Sequence, residues 1–286
     1  MIVYFNNQLL EMSKVLASPF DRGFLFADGV YESIRTYSGK LFKYHEHLER
    51  LKRSLGEIRI KFERFEELEK IIYQLAELNN LTGKDFLVYI QITRGVSFPR
   101  KHSFPSPDEQ PTIFISVSKL DENTADQQKG VKVILHEDLR WLRCDIKSVS
   151  LLPAILANQK AIESNAVEAV LHRKDLITEG SHTNFFGIIK GKVVTAPKSN
   201  LILAGITREV VISLCKKLKI KLEEEFIKLN ELKNCEEFFI TSTTKEIYPV
   251  VQIDDRIIGS GKPGNITKKL QSAFKELVAE IKNNER

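Results

Sequence analysis

The sequence predicts a two-domain α/β protein, and three observations support this fold class. The 286 residues, 42% of them hydrophobic, suffice for the cores of one large or two medium domains. Strand-like runs of alternating polarity recur between segments that have the apolar spacing of helices. A polar stretch over residues 119–129 separates two such regions. We therefore predict a small N-terminal domain over residues 1–118, a linker over 119–129 and a larger C-terminal domain over 130–286.

The predicted N-terminal domain contains strands, two amphipathic helices and one long loop. Strands are predicted over residues 2–5, 30–37, 41–44, 86–93 and 112–118. Helices are predicted over residues 45–55 and 65–79, where apolar residues share one face. His45 and His47 are two positions apart and so point to different sides of the first helix, which argues against a zinc site. The proline-rich loop over residues 94–107 has the length at which loops are often functional.

The predicted C-terminal domain alternates strands with helices. Strands are predicted over residues 131–136, 168–172, 185–189, 192–195 and 237–241, and helices over 152–165, 209–218 and 266–281. Polar and apolar residues alternate over 145–151, which indicates an extended segment ahead of the first of these helices. Residues 176–184 are rich in turn-forming side chains and follow an apolar strand.

Composition narrows the function classes. The net charge of +5 is small beside 43 basic and 38 acidic side chains, which are interspersed and form no stripe for nucleic acid. Three cysteines without CxxC spacing indicate neither a disulfide framework nor a zinc site, and so favour a reducing compartment. The N-terminus lacks the pattern of a signal peptide, and no apolar run has membrane-spanning length. We expect a cytoplasmic protein.

Lys147 is a candidate nucleophile. It lies just ahead of a predicted helix, among small and apolar neighbours that reduce the hydration of its amine. Loss of hydration favours the neutral amine, which is the form that attacks a carbonyl group. Most lysines of this chain are solvated surface charges, so the assignment depends on other residues.

Glu179 is a second residue that supports the assignment of Lys147. It is followed by a glycine and then by four residues whose side chains form hydrogen bonds. A pyridoxal phosphate enzyme needs an anion beside the pyridine nitrogen, because a protonated ring withdraws electrons from the substrate. A Glu-Gly pair in a turn is weak evidence alone, but Lys147 and Glu179 together favour this chemistry.

The two segments resemble the class IV, or fold type IV, pyridoxal phosphate-dependent aminotransferases. The resemblance is carried by RWLRCDIKS at residues 140–148 and by LITEGS and TNFFG within 176–187, which look most like the D-amino acid aminotransferases. It continues in DRGFLFADGVYE at 21–32, EHLERL at 46–51, GIT at 205–207 and STTKE at 242–246, and so covers nearly the whole chain. It implies a small α/β domain, a larger pseudo-barrel domain that binds pyridoxal 5′-phosphate, and a homodimer.

The resemblance also implies residue roles. Lys147 forms a Schiff base with the cofactor and acts as the general base, while Glu179 contacts the pyridine nitrogen. Further cofactor contacts are implied for Arg50, Leu203, Ile206, Thr207 and Thr243. The substrate α-carboxylate is implied to bind Tyr31, Arg100 and His102, the last two from loop 94–107 reaching the partner's active site. This loop has one residue more than the family pattern, at or near Phe98. His182 replaces the more usual small hydroxyl residue; we place it at the substrate site, where it would either narrow the substrate range or add a cofactor contact.

The expected reaction is transamination between a D-amino acid, such as D-alanine or D-glutamate, and a 2-oxo acid, such as 2-oxoglutarate or pyruvate. A branched-chain L-amino acid aminotransferase is an alternative that shares Lys147 and Glu179 but needs an apolar side-chain pocket. Aminodeoxychorismate lyase uses the same scaffold, and the Arg100/His102 pair argues against it. A non-enzymatic protein that kept the fold is a third alternative, opposed by the presence of every expected catalytic side chain.

Overall fold

The computed structural model describes residues 1–120 and 124–283. The chain divides into two compact units. Unit 1 comprises Met1–Asp121 with Ile146–Ser150, and unit 2 comprises Glu122–Asp145 with Leu151–Arg286. The segment Ile146–Ser150, expected in the second domain, thus belongs to unit 1. Residues 121–123 of the predicted linker lie outside the described residues, and the linker remains a prediction.

Unit 1 combines strands with helices. Its strands are β1 (Ile2–Phe5), β2 (Gln8–Glu11), β3 (Gly29–Tyr37), β4 (Lys40–Leu41), β5 (Phe86–Thr93) and β6 (Thr112–Lys119). Its α-helices are α1 (Arg22–Phe26), α2 (Tyr44–Glu57) and α3 (Leu68–Leu78), and short 3-10 helices cover Met12–Lys14 and Phe65–Glu67. The predicted strand over 41–44 is shorter than expected, because α2 begins at Tyr44.

The core of unit 1 lies between its sheet and its two longer helices. The strands are ordered β2-β1-β6-β5-β3-β4, and neighbouring strands are antiparallel. In β5 alternate side chains from Phe86 to Ile92 are buried, as expected for a strand with one face toward a core. The helices α2 and α3 bury Leu51 and Leu75 in the same cluster. This arrangement fixes α2 against β3, the two elements that carry candidate site residues.

Unit 2 also mixes helices and strands. Its strands are β7 (Val131–Glu137), β8 (Glu168–Arg173), β9 (Leu176–Gly180), β10 (Asn184–Ile189), β11 (Lys192–Thr195), β12 (Leu222–Glu224), β13 (Glu237–Ser242), β14 (Glu246–Ile253) and β15 (Arg256–Ile257). Its α-helices are α4 (Thr124–Lys129), α5 (Leu152–Glu163), α6 (Ile206–Lys217) and α7 (Asn265–Asn283), and a 3-10 helix covers Leu229–Asn234. The predicted α/β class is confirmed.

A mixed sheet forms the centre of unit 2. The strands are ordered β12-β11-β10-β13-β14-β7-β8-β9, and β15 pairs with β14. The parallel strands β7 and β8 are joined by a crossover that contains α5, whose small buried residues Ala157 and Ala161 let the helix lie close to the sheet. No helix in the described ranges is long and apolar enough to cross a lipid bilayer.

Two elements of unit 2 differ from the sequence prediction. Glu179 lies within strand β9 and not in a turn, because its segment pairs with β8. Helix α6 begins at Ile206, three residues earlier than predicted, because Gly205 is extended and serves as the residue before the first turn. Ile206 and Thr207 are therefore helical residues.

Candidate active site

Lys147 is part of an extended segment that lies along the start of β3. Its carbonyl oxygen accepts a hydrogen bond from the backbone N–H of Tyr31 at 3.0 Å, and Val149 N donates to Gly29 O at 3.1 Å. The neighbouring Ile146 is buried in the unit 1 core, which anchors the segment. The Lys147 Nζ atom lies 4.3 Å from the centroid of the Tyr31 ring, within the range of a cation–π contact. Lys147 and Tyr31, two predicted site residues, are thus in contact.

One face of α2 carries polar side chains toward this region. His47, Arg50 and Ser54 are separated by three and four positions and so share a face of the helix. The Ser54 hydroxyl oxygen accepts a hydrogen bond from the backbone N–H of Lys147 at 3.3 Å. His47 is buried whereas His45 is exposed, so the two imidazoles lie on different sides of the helix, as their spacing predicts.

Arg50 is held by the fully buried carboxylate of Glu32. Its Nε and Nη2 atoms donate to the two carboxylate oxygens at 2.8 and 2.9 Å, and His47 Nδ1 lies 2.7 Å from Oε2. Burial by itself would raise the pKa of Glu32, but the charges of Arg50 and His47 lower it well below its usual range. Burial also lowers the pKa of His47, against the opposing effect of Glu32. Glu32 therefore fixes the plane of the Arg50 guanidinium group.

The loop over residues 94–107 lies on helix α1 of the same unit. The buried guanidinium group of Arg22 donates to the backbone oxygens of Lys101 at 2.7 Å and Ser103 at 3.2 Å. The guanidinium carbon of Arg100 lies 4.4 Å from the Phe26 ring centroid, and the His102 ring lies 5.4 Å from the same centroid. The predicted pair Arg100 and His102 is thus gathered around one phenyl ring.

These loop residues do not touch the Lys147 region within the described part of the chain. Both side chains are exposed, and no hydrogen bond or ring contact joins either of them to Tyr31 or Lys147 in residues 1–120 and 124–283. The structure therefore brings together Lys147 with Tyr31, and separately Arg100 with His102.

In unit 2 the carboxylate of Glu179 is held by three donors. Arg140 Nη1 donates at 2.7 Å, Asn184 Nδ2 at 3.0 Å, and the Leu203 backbone N–H lies 3.0 and 3.1 Å from the two oxygens. Asn184 Nδ2 also donates to the Leu203 carbonyl oxygen at 2.8 Å. Gly205 lies two residues after Leu203, and a side chain at this position would collide with the Asn184 amide oxygen. Glu179 and Leu203, both predicted site residues, are thus joined through the backbone.

Burial dominates the electrostatics of Glu179. It raises the pKa of Glu179 to about 7, although the positive charge of Arg140 acts in the opposite direction. Arg140 is shared with Asp138, whose oxygens also accept from Arg173 at 3.1 Å. Burial would raise the pKa of Asp138, but these arginines lower it. Asp138 also binds Arg140, and its negative charge adds to the upward effect of burial on the pKa of Glu179.

The first turn of α6 provides backbone donors near this carboxylate. Ile206 and Thr207 are its first two residues, and the amides of a first turn have no partner within their own helix. These amides and the positive end of the helix dipole suit a phosphate group. Thr243 lies in the turn after β13, and β13 pairs with β10 through Thr241 and Asn184. His182, in the short segment between β9 and β10, has its Nε2 atom 2.9 Å from Lys245 Nζ.

Comparison with known proteins places the chain in a family. The model of the aminotransferase class IV family matches residues 29–253, which include most of each unit. This chain belongs to the class IV aminotransferases. The aminotransferase is also 42% identical over 279 residues to the D-alanine aminotransferase of Bacillus licheniformis, with 97% of each chain covered. It is 40% identical over 277 residues to the D-alanine aminotransferase of Staphylococcus haemolyticus, covering 96% of this chain and 97% of the relative.

A solved structure supports the fold of the aminotransferase. The branched-chain aminotransferase of Thermoproteus uzoniensis matches with a TM-score of 0.86 and 26% sequence identity, covering 98% of this chain and 95% of that one. The predicted fold type IV architecture is thereby confirmed.

Pyridoxal 5′-phosphate is the cofactor of the class IV aminotransferases, and the residues of this chain fit it. Lys147 supplies an amine, Glu179 a carboxylate whose pKa burial raises to about 7, and the first turn of α6 supplies backbone amides that have no partner within the helix. An amine, a buried carboxylate and helix-terminal amides are groups of the kinds that the carbonyl, the ring nitrogen and the phosphate of this cofactor require.

Several residues of the aminotransferase that support the site were missed by sequence reasoning. Arg140 and Asn184 hold Glu179, and Glu32 with His47 holds Arg50. Arg140 and Asn184 do lie in the same motifs as Lys147 and Glu179. A polar residue in an otherwise apolar strand, such as Glu32 in β3, is the signal that could have revealed the Arg50 cluster.

Proposed function

We propose that this aminotransferase moves the amino group between a D-amino acid of the D-alanine or D-glutamate type and a 2-oxo acid such as 2-oxoglutarate or pyruvate. The observation that carries the proposal is the paired placement of Arg100 and His102 around Phe26 in an exposed loop. Two cationic or hydrogen-bonding side chains held side by side suit a carboxylate. The D-alanine aminotransferases of two bacteria, at 40% and 42% identity, support the same substrate class.

Lys147 has two roles in this proposal. It holds the cofactor through Nζ, and after substrate binds it moves the proton at the substrate Cα as a general base. When bound, pyridoxal phosphate supplies an electron sink that stabilises negative charge at Cα. The contacts of the Lys147 backbone with Tyr31 and Ser54 fix the point from which its side chain extends.

Glu179 provides the charge opposite the ring nitrogen. Its three donors hold both carboxylate oxygens in fixed positions, so no reorganisation is needed when a positive partner binds. A cation beside Glu179 would lower its pKa from about 7 and keep the carboxylate ionised at neutral pH. The backbone N–H of Leu203 contacts Glu179. We assign the side chain of Leu203 to packing against the pyridine ring of the cofactor.

The cofactor phosphate is assigned to Arg50, Ile206, Thr207 and Thr243. Ile206 and Thr207 offer first-turn amides, and Thr243 offers a hydroxyl group from the turn after β13. Glu32 orients the guanidinium group of Arg50, which suits recognition of phosphate oxygens by a planar group.

The substrate α-carboxylate is assigned to Tyr31, Arg100 and His102. The side on which Lys147 moves the proton and the place where the carboxylate is held together determine the stereochemistry. A carboxylate bound by these three residues favours D-amino acids. We assign His182 to the substrate as well, from its position three residues after Glu179.

A branched-chain L-amino acid aminotransferase is the second candidate, because the Thermoproteus uzoniensis structure has that activity in its name and shares the fold. Such an enzyme would need Lys147 and Glu179 but no basic pair in the loop. The exposed Arg100 and His102 therefore favour the D-amino acid activity.

We also propose a homodimer in which loop 94–107 reaches the partner's active site. Leu16, Phe24 and Phe98 have 88%, 80% and 76% of their surface exposed, and Phe98 belongs to this loop. Exposed apolar side chains next to a functional loop are typical of an interface. Sedimentation equilibrium should give about twice the mass of 32.8 kDa, and a monomer would contradict the proposal. The three buried free thiols are consistent with a cytoplasmic location.

Substitution in the loop tests the substrate assignment. Arg100→Ala should raise the KM for D-alanine by at least 10-fold with a smaller change in kcat, because a charge-assisted hydrogen bond to the substrate is lost. Lys101→Ala is the matched control, since it removes a neighbouring exposed charge. Equal KM values for Arg100→Ala and Lys101→Ala would remove Arg100 from the substrate site.

A further inference from the structure

The segment between β9 and β10 is organised by Glu168, which is fully buried. Its carboxylate oxygens accept hydrogen bonds from the backbone N–H groups of Ala169 at 2.8 Å and Ser181 at 3.1 Å, and from the Thr183 hydroxyl at 2.8 Å. The Ser181 hydroxyl donates to Glu168 as well. These donors are nearly all contributed by residues 181–183, so Glu168 determines the path of the segment that carries His182.

The same network determines which nitrogen of His182 carries its hydrogen. The Ser181 hydroxyl uses its hydrogen for Glu168, so toward His182 Nδ1, at 3.0 Å, it can only accept. Nδ1 also lies 3.1 Å from Glu168 Oε2, a second acceptor. Nδ1 therefore carries a hydrogen, and when the ring is neutral Nε2 is an acceptor. Lys245 Nζ, 2.9 Å from Nε2, is the donor of that hydrogen bond.

Lys245 is a partly buried cation whose hydrogen-bond partner is the imidazole of His182. Burial lowers the pKa of Lys245, while Glu168 and Asp126 act in the opposite direction. The oxygens of Glu168 are taken by the donors of residues 169–183, and no ion pair joins Lys245 to a carboxylate within the described ranges. A ligand carboxylate would therefore stabilise the ammonium group of Lys245 more than it would stabilise a lysine that already pairs with a carboxylate.

Lys245 and His182 lie at the end of unit 2 where the candidate site residues lie. His182 follows Glu179 by three residues, and Lys245 follows Thr243 by two. Strands β10 and β13 pair from Asn184 opposite Thr241, so the segment before β10 and the turn after β13 leave the same end of the sheet. A ligand bound near Glu179 and Thr243 is thus close to this cation.

We propose that Lys245, held in place by His182, binds the side-chain carboxylate of acidic substrates. The substrate class is D-glutamate and D-aspartate together with the corresponding 2-oxo acids. This inference rests on the proposed transamination of D-amino acids and adds the preferred side chain. In it Lys245 contacts the side chain of the substrate, Glu168 is a positioning residue, and His182 positions Lys245 in addition to the substrate contact assigned to it above.

A purely structural role for the same contacts makes a different prediction. If the Lys245–His182 hydrogen bond only joins two turns, its loss would affect every substrate alike. If Lys245 binds a side-chain carboxylate, its loss would affect dicarboxylic substrates more than D-alanine, which has no such group. The ratio of kcat/KM values between D-glutamate and D-alanine separates the two roles.

The test uses the holoenzyme and two variants at position 245. Lys245→Gln should lower the ratio of kcat/KM for D-glutamate to that for D-alanine by at least 10-fold, and Lys245→Arg should restore most of the ratio because it keeps the charge. His182→Ser should lower the ratio in the same direction by a smaller factor. Lys192→Gln is the control, because it removes an exposed charge paired with Glu223 elsewhere in unit 2.

A binding measurement makes the result independent of turnover. Isothermal titration calorimetry should show tighter binding of glutarate than of butyrate to the holoenzyme, and Lys245→Gln should abolish the difference. An unchanged substrate ratio together with unchanged glutarate binding in Lys245→Gln would overturn the inference. If the wild-type enzyme does not use D-alanine, the proposed function fails, and the glutarate titration still decides whether Lys245 binds a carboxylate.

Discussion

At the scale of single residues, burial and charge give Glu179 an unusual protonation behaviour. Burial raises its pKa to about 7, compared with 4.5 for an exposed glutamate. Between these two values the folded chain holds a proton that the unfolded chain releases. The free energy of unfolding therefore falls as the pH rises from about 4.5 to 7, because the carboxylate becomes ionised in a buried place.

Glu179→Gln should remove this pH dependence. The neutral amide has no proton to lose, so the free energy of unfolding of the variant relative to that of the wild type should be higher at pH 7.5 than at pH 5, by about 2 kcal/mol. Urea unfolding of the cofactor-free protein at the two pH values measures the difference. Glu163→Gln, on the exposed side of α5, is the control. An identical pH slope in wild type and Glu179→Gln would show that the carboxyl titrates normally.

The role of Lys147 leads to a spectroscopic prediction. Lys147→Ala should lower turnover by several orders of magnitude, because both the attachment of the cofactor and the base for the Cα proton are lost. The absorbance of the lysine-bound cofactor should disappear as well. Lys160→Ala, an exposed lysine of α5, should change neither. Persistence of the band in Lys147→Ala would assign the attachment to another amine.

Sequence reasoning identified charged candidates more readily than their supports. Lys147 and Glu179 stand in motifs that indicate the chemistry, although their roles remain proposals. The hydrogen bonds of Glu179 come from Arg140 and Leu203, 39 and 24 residues away along the chain, and such contacts exist only after folding. Glu32 similarly meets Arg50 because β3 and α2 pack together.

At the scale of elements, the position of loop 94–107 depends on α1. Arg22 links the two, since its side chain donates to two loop carbonyl oxygens and pairs with Asp28 at 2.9 Å. Asp28 in turn accepts from Arg94 at 2.7 Å at the start of the loop. The motif DRGF therefore has a structural explanation, because its arginine orders the loop that carries Arg100 and His102.

Arg22→Gln should loosen this loop. We expect the KM for D-alanine to rise several-fold with a smaller change in kcat, because Arg100 and His102 lose their fixed position while Lys147 is unaffected. Arg22→Lys keeps the charge but not the forked geometry, and should give an intermediate KM. Steady-state kinetics measure both. A several-fold fall in kcat in Arg22→Gln, with an unchanged KM, would indicate damage outside the loop.

The boundaries of helices and strands were predicted correctly where the local sequence pattern is strong. The predictions were wrong where pairing with a distant strand determines the structure. The strand β5 and the apolar face of α2 were read from the sequence, whereas the burial of only alternate side chains in β5 was not. The strand around Glu179 was read as a turn, because its glycine and polar residues resemble one until pairing with β8 is known. The start of α6 was placed three residues late, since Gly205 is not a typical first-turn signal.

At the scale of the whole molecule, chain order and spatial organisation differ at Lys147. The segment Ile146–Ser150 follows β7 of unit 2 in sequence but is part of unit 1, because its backbone bonds to β3 and Ile146 enters the unit 1 core. A linear division at residues 119–129 could not show this. The family resemblance nevertheless covered both units, since its motifs are spread over the whole chain.

The half-reaction of the cofactor with a single amino acid shows directly whether the enzyme acts on D-amino acids. The absorbance spectrum of the purified holoenzyme is recorded after mixing with D-alanine or with L-leucine, without any 2-oxo acid. We predict rapid conversion of the cofactor to its amine form by D-alanine, and conversion by L-leucine at least 100-fold slower. Conversion by L-leucine alone would contradict the account, because Lys147 and Glu179 would then serve a branched-chain L-amino acid aminotransferase.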